Sequence, residues 1–332
     1  MDSGFVNLPR GEQKRILRER CSADMYVCMK NIFASEELDY ILLREFGELD
    51  EPSQDIYRHV AALEALGARV HRQLIMRLLN VEAGSLAGIL TRLSGIVSEF
   101  DISPHRGLYG WETRHKIIAA TIARYKYAQQ SELEKLFERL IDAVNPTVRL
   151  EIESAKALCT EDFGIDRLAD VTRQVDLLKQ VVDLLPGEAI PRHRLIRHLI
   201  DQDRLDEASL ELRKALAAVS VNPVLARYEV LILVRQAELA PGLLPEDRLA
   251  ILLDAEAKAL KNLSRYSGDM HSYRVYGDVA IALAKAGDGT RALAEAVKRA
   301  EAAESSILDP AMREIRRRLN QELGRQRARL VS

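Results

Sequence analysis

Three adjacent residues, Arg114, His115 and Lys116, carry side chains that could bind an anion. They follow a strand-like segment at 109–113 and open a predicted helix at 114–129. Free backbone N–H groups and the helix dipole favour negative charge at a helix N-terminus, and the two flanking cations would add to that attraction. The trio therefore predicts a contact with a phosphate. The pattern supports equally well a second interpretation, in which His115 only caps the helix within its own domain.

Other arrangements that do chemistry are missing from the sequence. There is no phosphate loop of the type GxxxxGK followed by Ser or Thr, and the Gly-Asp-Gly-Thr run at 287–290 is typical of a tight turn. His193 and His198 fall on different faces of a predicted helix, which does not suit a shared metal ion. No nucleophile elbow occurs. We therefore predict a protein that is not an enzyme, has no cofactor of its own and hydrolyses no ATP.

A series of short elements leads up to the trio and must position it. The pattern predicts helices at 54–66, 70–79 and 84–95, then a strand at 96–100, a loop that contains Pro104 and Gly107, and a returning strand at 109–113. This order of helices, turn and strands is that of a winged helix. We therefore predict a helical lead-in over 1–50 and a winged-helix domain over 51–130.

The second half of the chain shows a recurrence of 42 residues. Ala208, Ala250 and Ala292 each follow a turn that is rich in Asp, Gly or Pro. We predict that each of these alanines lies on the inner face of its helix, where a small residue lets a second helix approach closely. A recurring helical unit of this size is typical of a solenoid, which presents a long surface to partners. Residues 131–332 are therefore predicted to form a right-handed helical-repeat solenoid, and the fold class is all-α apart from one small hairpin.

The composition indicates an ordinary soluble, helix-rich protein. Hydrophobic residues make up 47% and charged residues 30%, whereas aromatic residues make up only 5%. A net charge of -2 gives no overall field to attract nucleic acid or anionic lipid. No apolar run approaches the roughly 18 residues of a membrane span, and residues 1–20 lack the apolar centre of a signal peptide. We therefore predict a cytoplasmic protein with no membrane contact.

A winged helix also suggests DNA binding, and the candidate recognition helix at 85–95 argues against it. This helix has one basic residue, Arg92, and no Asn, Gln or Lys to read base edges. The nearby arginines are interpreted as solvated faces of amphipathic helices rather than as a phosphate-binding track: Arg69, Arg72, Arg77 and Arg106. A winged helix that faces a protein or a ligand is therefore favoured. The alternative is a DNA-binding transcriptional regulator with a helical ligand- or peptide-binding domain.

Three stretches in the first part of the chain carry a resemblance to a known family. They are EQKRIL at 12–17, YRHVAALEALG at 57–67 and TRHKIIA at 113–119. Residues 11–127 thereby resemble the region that follows the ATPase core in bacterial STAND-type P-loop NTPases, the signal-transducing ATPases with numerous domains. Receptors of this family have a Met-His-Asp motif at this helix, and its histidine contacts the β-phosphate of bound ADP. His115 matches that histidine, whereas Arg114 and Lys116 stand in place of Met and Asp.

The later part of the chain resembles tetratricopeptide repeats. One unit fits their pattern of large, apolar, small and turn positions, with Tyr276, Val279, Ala280, Leu283, Gly287 and Ala292. In bacterial STAND proteins such an array follows the winged helix.

Together, the two resemblances imply the C-terminal part of a STAND-type NTPase without its ATPase core. Its function would be that of a regulatory and sensing module in signalling or antiphage defence, with a protein trigger bound by the repeats. ADP or ATP would be contacted only beside a P-loop domain, through His115, Arg114 and Lys116, and nucleic acid would not be a partner.

Overall fold

Helices predominate in this protein. The computed structural model describes residues 9–19, 35–103, 105, 107–160 and 163–331. The helical character predicted for the chain is confirmed in these residues. The chain divides into two compact units, Met1–Leu185 and Pro186–Ser332. The boundaries at 50/51 and 130/131 are finer than this division and stay predictions, and much of the predicted lead-in, residues 1–8 and 20–34, lies outside the described residues.

The first unit combines helices with three short strands among its described residues. In chain order these are α1 (Arg10–Glu19), α2 (Ser35–Gly47), α3 (Glu51–Ala65), β1 (Val70–His71), α4 (Arg72–Leu79), α5 (Leu86–Arg92), β2 (Val97–Ser103), β3 (Leu108–Thr113), α6 (Lys116–Lys126), α7 (Gln130–Ala143), α8 (Arg149–Ala157) and α9 (Val171–Leu184). Residues with positive φ mark several of the ends: Gly67 follows α3, Asn80 follows α4, and Gly107 turns the chain between β2 and β3.

The three strands form one antiparallel sheet in the order β1-β3-β2. The hairpin of β2 and β3 confirms the two strands expected around 96–113. The prediction of a helix at 70–79 is wrong at its start, because Val70 and His71 form a strand and the helix begins at Arg72. Val70 pairs with Trp111 and His71 with Gly110. A strand of only two residues is too short to show the alternating pattern that predicts a strand, and its pairing partners lie about forty positions further along the chain.

The core of the first unit is built around α3. Ile56, Val60 and Ala61 on this helix are fully buried, and α3 packs against α6 and β3. The ring of Trp111 is fully buried as well, and its Nε1–H donates to Glu99 Oε2 at 3.0 Å. Because this core covers the start of α6, it fixes the direction in which the helix leaves the sheet.

The second unit consists of seven helices among its described residues. They are α10 (Ala189–Asp201), α11 (Leu205–Ala218), α12 (Pro223–Leu239), α13 (Pro245–Arg265), α14 (Met270–Lys285), α15 (Arg291–Glu304) and α16 (Pro310–Val331). Each helix packs against the next one along the chain, and α10, α12, α14 and α16 also pack against one another in that order. These four helices therefore form a continuous row, and α11, α13 and α15 each pack against two neighbouring members of it.

The 42-residue recurrence is not a structural period. Ala208 and Ala292 are buried as predicted, but Ala250 is exposed and the prediction is wrong there. The helices of the row begin 34, 47 and 40 residues apart. The 21-residue helix α13 instead buries Ala255 and Ala259, which are one turn apart. Unequal helix lengths therefore move the small residues out of a constant spacing.

Within the described ranges, no single helix has both the length and the apolar character to cross a membrane. The bent pair formed by 72–79 and 83–92 meets the same test on length and composition alone.

Replacing Gly277 with alanine is expected to destabilise the second unit by about 1–3 kcal/mol, because the new methyl group overpacks a buried contact. A Cβ on Gly277 would lie 2.9 Å from Leu319 Cδ2 on α16. Gly324 is the matched control, since a Cβ there meets open space and Gly324→Ala should stabilise its helix by about 0.5–1 kcal/mol. Thermal unfolding followed by circular dichroism should shift in opposite directions for the two variants. A Gly277→Ala variant as stable as the parent would contradict the close approach of α14 and α16.

Candidate functional site

His115 is the N-cap of α6 in this structure. Its backbone is extended, and its Nδ1 accepts a hydrogen bond from the N–H of Ile117 at 3.1 Å. The Thr113 hydroxyl donates to the carbonyl oxygen of His115 at 3.2 Å, which fixes the corner between β3 and α6. Since Nδ1 accepts, the neutral imidazole carries its proton on Nε2. The capping interpretation of His115 is thus present in the structure, and the phosphate contact stays a prediction.

Arg114 lies beside His115 but contacts a different element. Its Nη2 donates to both carboxylate oxygens of Glu45 on α2, at 2.7 and 2.5 Å. The side chain of Arg114 is 41% exposed, so the ion pair is open to solvent on one side. A phosphate that reached Arg114 would have to share the guanidinium with Glu45 or displace it.

Lys116 lines a cavity of about 360 Å³ next to the sheet. The same cavity is lined by Glu64, Glu112 and Arg69 together with two aromatic residues, Phe100 and Trp111. Burial raises the pKa of Glu64, although the carboxylate accepts the Thr113 N–H at 2.9 Å. The three residues of the trio are adjacent, but Arg114 pairs with Glu45, whereas Lys116 lines the cavity together with Glu64 and Glu112.

A second cluster of charged groups lies inside the first unit, and the sequence did not predict it. Glu151 on α8 is fully buried and accepts from three donors. His71 Nδ1 lies 2.6 Å from Oε1, the backbone N–H of Asn145 lies 2.7 Å from Oε2, and Arg77 Nη2 donates to the same Oε2. Burial opposes the charge of Glu151, but these hydrogen bonds outweigh it and lower the pKa of the carboxyl group. The cluster joins α8 to β1 and α4.

Sequence reasoning missed this cluster because its members are far apart in the chain. Arg77 is predicted to lie on a solvated helix face, and no binding role is predicted for His71 or Glu151. Glu151 lies 80 residues after His71 and 74 after Arg77. A single sequence contains no signal that pairs residues at such separations.

The arginines near the predicted recognition helix are used within the fold. Arg92 on α5 pairs with Asp50 at 3.0 Å, and Arg72 pairs with Glu99 at 3.0 Å while its guanidinium covers the ring of Tyr109. The guanidinium of Arg69 covers the ring of Phe100. Arg69 and Arg77 are exposed, as expected of a solvated face, although Arg69 precedes β1 rather than lying on a helix. The side chain of Arg72 is only 19% exposed, and Arg106 lies outside the described residues. Few cations are left in this part of the structure to bind a phosphate backbone.

His59 is a buried titratable group in the core of the first unit. His59 is only 3% exposed. Its Nδ1 donates a hydrogen bond to the carbonyl oxygen of Asp55 at 2.6 Å. The imidazole meets the ring of Tyr127 edge-on. Burial lowers the pKa of His59 to about 4. Protonation of His59 is thereby coupled to unfolding.

The free energy of unfolding of the first unit is expected to fall as the pH drops from about 6.5 to about 4. In this window the unfolded imidazole binds a proton and the folded one does not. The contribution of His59 to the stability is therefore fully present above about pH 6.5 and is lost as the pH falls towards about 4. The effect of His59 should reach about 3 kcal/mol, at about 1.4 kcal/mol per pKa unit. Denaturant unfolding followed by Trp111 fluorescence measures the slope. His59→Gln should remove this part of it, and an unchanged slope in that variant would contradict the assignment.

Among the described residues, no group of three or more His, Cys, Asp or Glu side chains is placed to hold a metal ion. No protein-family model, curated protein or solved structure matches this chain.

Proposed function

We propose that this chain is the regulatory and sensing module of a STAND-type signalling or antiphage defence ATPase. In this proposal a winged helix over 51–130 closes on the ADP-bound ATPase core, and the helical repeats bind a protein trigger. The module itself catalyses no reaction and works in the cytoplasm. The observation that carries the proposal is the topology of the first unit together with the row of helices in the second.

The topology of the first unit supports a winged helix. The elements follow one another as α3, β1, α4, α5, β2 and β3, and the sheet has the order β1-β3-β2. A winged helix has the same succession and the same strand order, with the last two strands as the wing. The helix after the wing is α6, which begins next to His115. This is the place of the family's Met-His-Asp motif.

The second unit supports a tetratricopeptide-like array. Its helices pack in sequence, and every second helix joins the row formed by α10, α12, α14 and α16. The first interval between members of this row is 34 residues, which is the usual length of a tetratricopeptide repeat. The later, longer intervals belong to longer helices. An array of this kind offers an extended surface for a protein partner.

The exposed face of α5 favours a protein contact over a DNA contact. Ala87, Gly88 and Thr91 on this face are exposed, small and uncharged. Arg92 is the one basic residue of α5, and it is paired with Asp50. Such a surface can pack against a protein but offers little to phosphates. The alternative function, a DNA-binding regulator with a helical ligand-binding domain, depends on the winged-helix topology alone.

A binding experiment separates the two functions. The purified chain is titrated with the P-loop core of its parent ATPase, loaded either with ADP or with a non-hydrolysable ATP analogue, and with a random pool of duplex DNA. We expect binding to the ADP-loaded core and no enrichment of a DNA sequence. An enriched sequence bound with sub-micromolar affinity, which is the range of specific readers, together with no binding to the core would establish the alternative.

A further inference from the structure

The last helix of the second unit carries an unusual concentration of positive charge. Helix α16 contains seven arginines, two glutamates and no lysine, although the whole chain has a net charge of -2. From its geometry we infer that one face of α16 is a docking surface for an acidic helical segment of a partner protein. The inference deepens the proposed function, since it rests on the array being the part that binds protein.

The two faces of α16 differ sharply. Its apolar residues Met312, Ile315, Leu319 and Leu323 are buried where the helix packs on α14 and α15. The opposite face, which we call the arginine ridge, is exposed along its length and consists of Arg313, Arg317, Asn320, Gln321 and Arg327. The buried face holds the helix in place, so the ridge is presented on a rigid support rather than on a flexible tail.

The arginines beside the ridge show which anion this helix accepts. Arg318 pairs with Asp278 on α14 at 2.7 Å, and Arg316 pairs with Glu304 on α15 at 2.6 Å. Arg313, the first residue of the ridge itself, also reaches Glu304, at 3.4 Å. Carboxylates of the second unit thus already occupy the flanks of α16. On the ridge itself, no carboxylate of the described residues lies within ion-pair distance of Arg317 or Arg327.

The spacing of the ridge fits carboxylates presented by a helix. Arg313 and Arg317 are one turn apart, about 6 Å along the axis, and Arg327 lies about 15 Å beyond Arg317. Between them lies Gly324, where a side chain would meet only open space. A glycine in an exposed helix interior is less favourable than alanine, but it allows another backbone to approach closely at this point. A partner helix with acidic residues one turn apart would match both features.

Other polyanions fit the ridge less well. Glu314 is exposed and follows Arg313 directly, so it would repel a continuous phosphate backbone, whereas a helical peptide can present an uncharged residue at that point. The helix contains no aromatic residue on which bases could stack. Its apolar face is buried against α14 and α15 and therefore cannot enter a lipid surface. An acidic protein segment, in which each carboxylate can accept a two-pronged hydrogen bond from a guanidinium, is the best match.

The test uses the full chain and a fluorescent helical peptide with glutamates one turn apart. We expect the peptide to bind with an affinity that falls as salt is raised, and Arg317→Glu/Arg327→Glu to weaken it by at least about tenfold. The matched control is Arg213→Glu/Lys261→Glu, which makes the same charge change at exposed positions on α11 and α13 and should bind like the parent. All variants are first checked for unchanged helical content by circular dichroism.

Three outcomes would overturn the inference. They are no binding of the acidic peptide, equal loss in both double variants, and tighter binding of a DNA duplex than of the peptide. None of them bears on the contact between the first unit and an ATPase core, which is measured separately. Failure of this docking surface is therefore distinguishable from failure of the proposed function.

Discussion

Replacing Glu151 with alanine is expected to lower the free energy of unfolding of the first unit by about 3 kcal/mol. The substitution removes the acceptor of three hydrogen bonds and leaves His71, which is only 1% exposed, without its partner. Arg77 also loses its carboxylate, although its side chain is 40% exposed and can regain water. The cost therefore comes mainly from His71 and from the N–H of Asn145.

The measurement is denaturant unfolding followed by the fluorescence of Trp111, the one tryptophan of the chain. The matched control is Glu153→Ala on the same helix, whose side chain is 44% exposed and pairs with Arg149 and Lys156. Such exposed pairs contribute about 1 kcal/mol or less, so the control should unfold close to the parent. If Glu151→Ala is no less stable than Glu153→Ala, the buried cluster does not hold α8 in place.

Replacing His115 with alanine is expected to weaken ADP binding by the reconstituted parent ATPase by about ten- to a hundredfold. In the proposed complex the substitution would remove one hydrogen bond to a phosphate, worth roughly 1–3 kcal/mol. A weaker hold on ADP should move the sensor towards its open, signalling state and raise its basal activity. The variant also loses the cap of α6, since Nδ1 of His115 accepts the Ile117 N–H in the structure. Stability and nucleotide affinity must therefore be separated.

His115→Asn makes that separation. Asparagine is among the best N-cap residues, so it should restore the stability of α6 while it lacks the imidazole N–H. If the phosphate contact is real, both variants lose ADP affinity and only His115→Ala loses stability. If asparagine restores both properties, or if neither variant changes ADP affinity, His115 is a structural cap and the likeness to the Met-His-Asp motif carries no nucleotide role.

Local patterns predicted the local structures of this protein. The hairpin around 96–113 is confirmed, because a run of β-branched and aromatic residues followed by Gly107 is a short-range signal. The helix at 114–129 is confirmed in type but is shorter, at Lys116–Lys126. The helix begins at Lys116 rather than at Arg114 because His115 takes an extended conformation and caps the helix instead of entering it. A boundary of this kind depends on one side-chain hydrogen bond, which the apolar period does not reveal.

The features that the sequence could not predict depend on distant contacts. β1 exists because Val70 and His71 pair with β3, and the carboxylate of Glu151 is buried because three donors from other parts of the unit surround it. The prediction that Ala250 is buried is wrong because a constant spacing requires helices of equal length, whereas α11 has 14 residues and α13 has 21. For the candidate site, the sequence identified His115 at a helix start but not the carboxylate of Glu45 that holds Arg114.

In the function proposed above, this chain locks ADP into a P-loop ATPase core. The most direct test is the rate at which a fluorescent ADP analogue leaves the parent core, measured with and without this chain added in excess. We predict that the chain slows the release at least about tenfold, and that the chain alone binds no ADP. Equal release rates with and without the chain would contradict the claim.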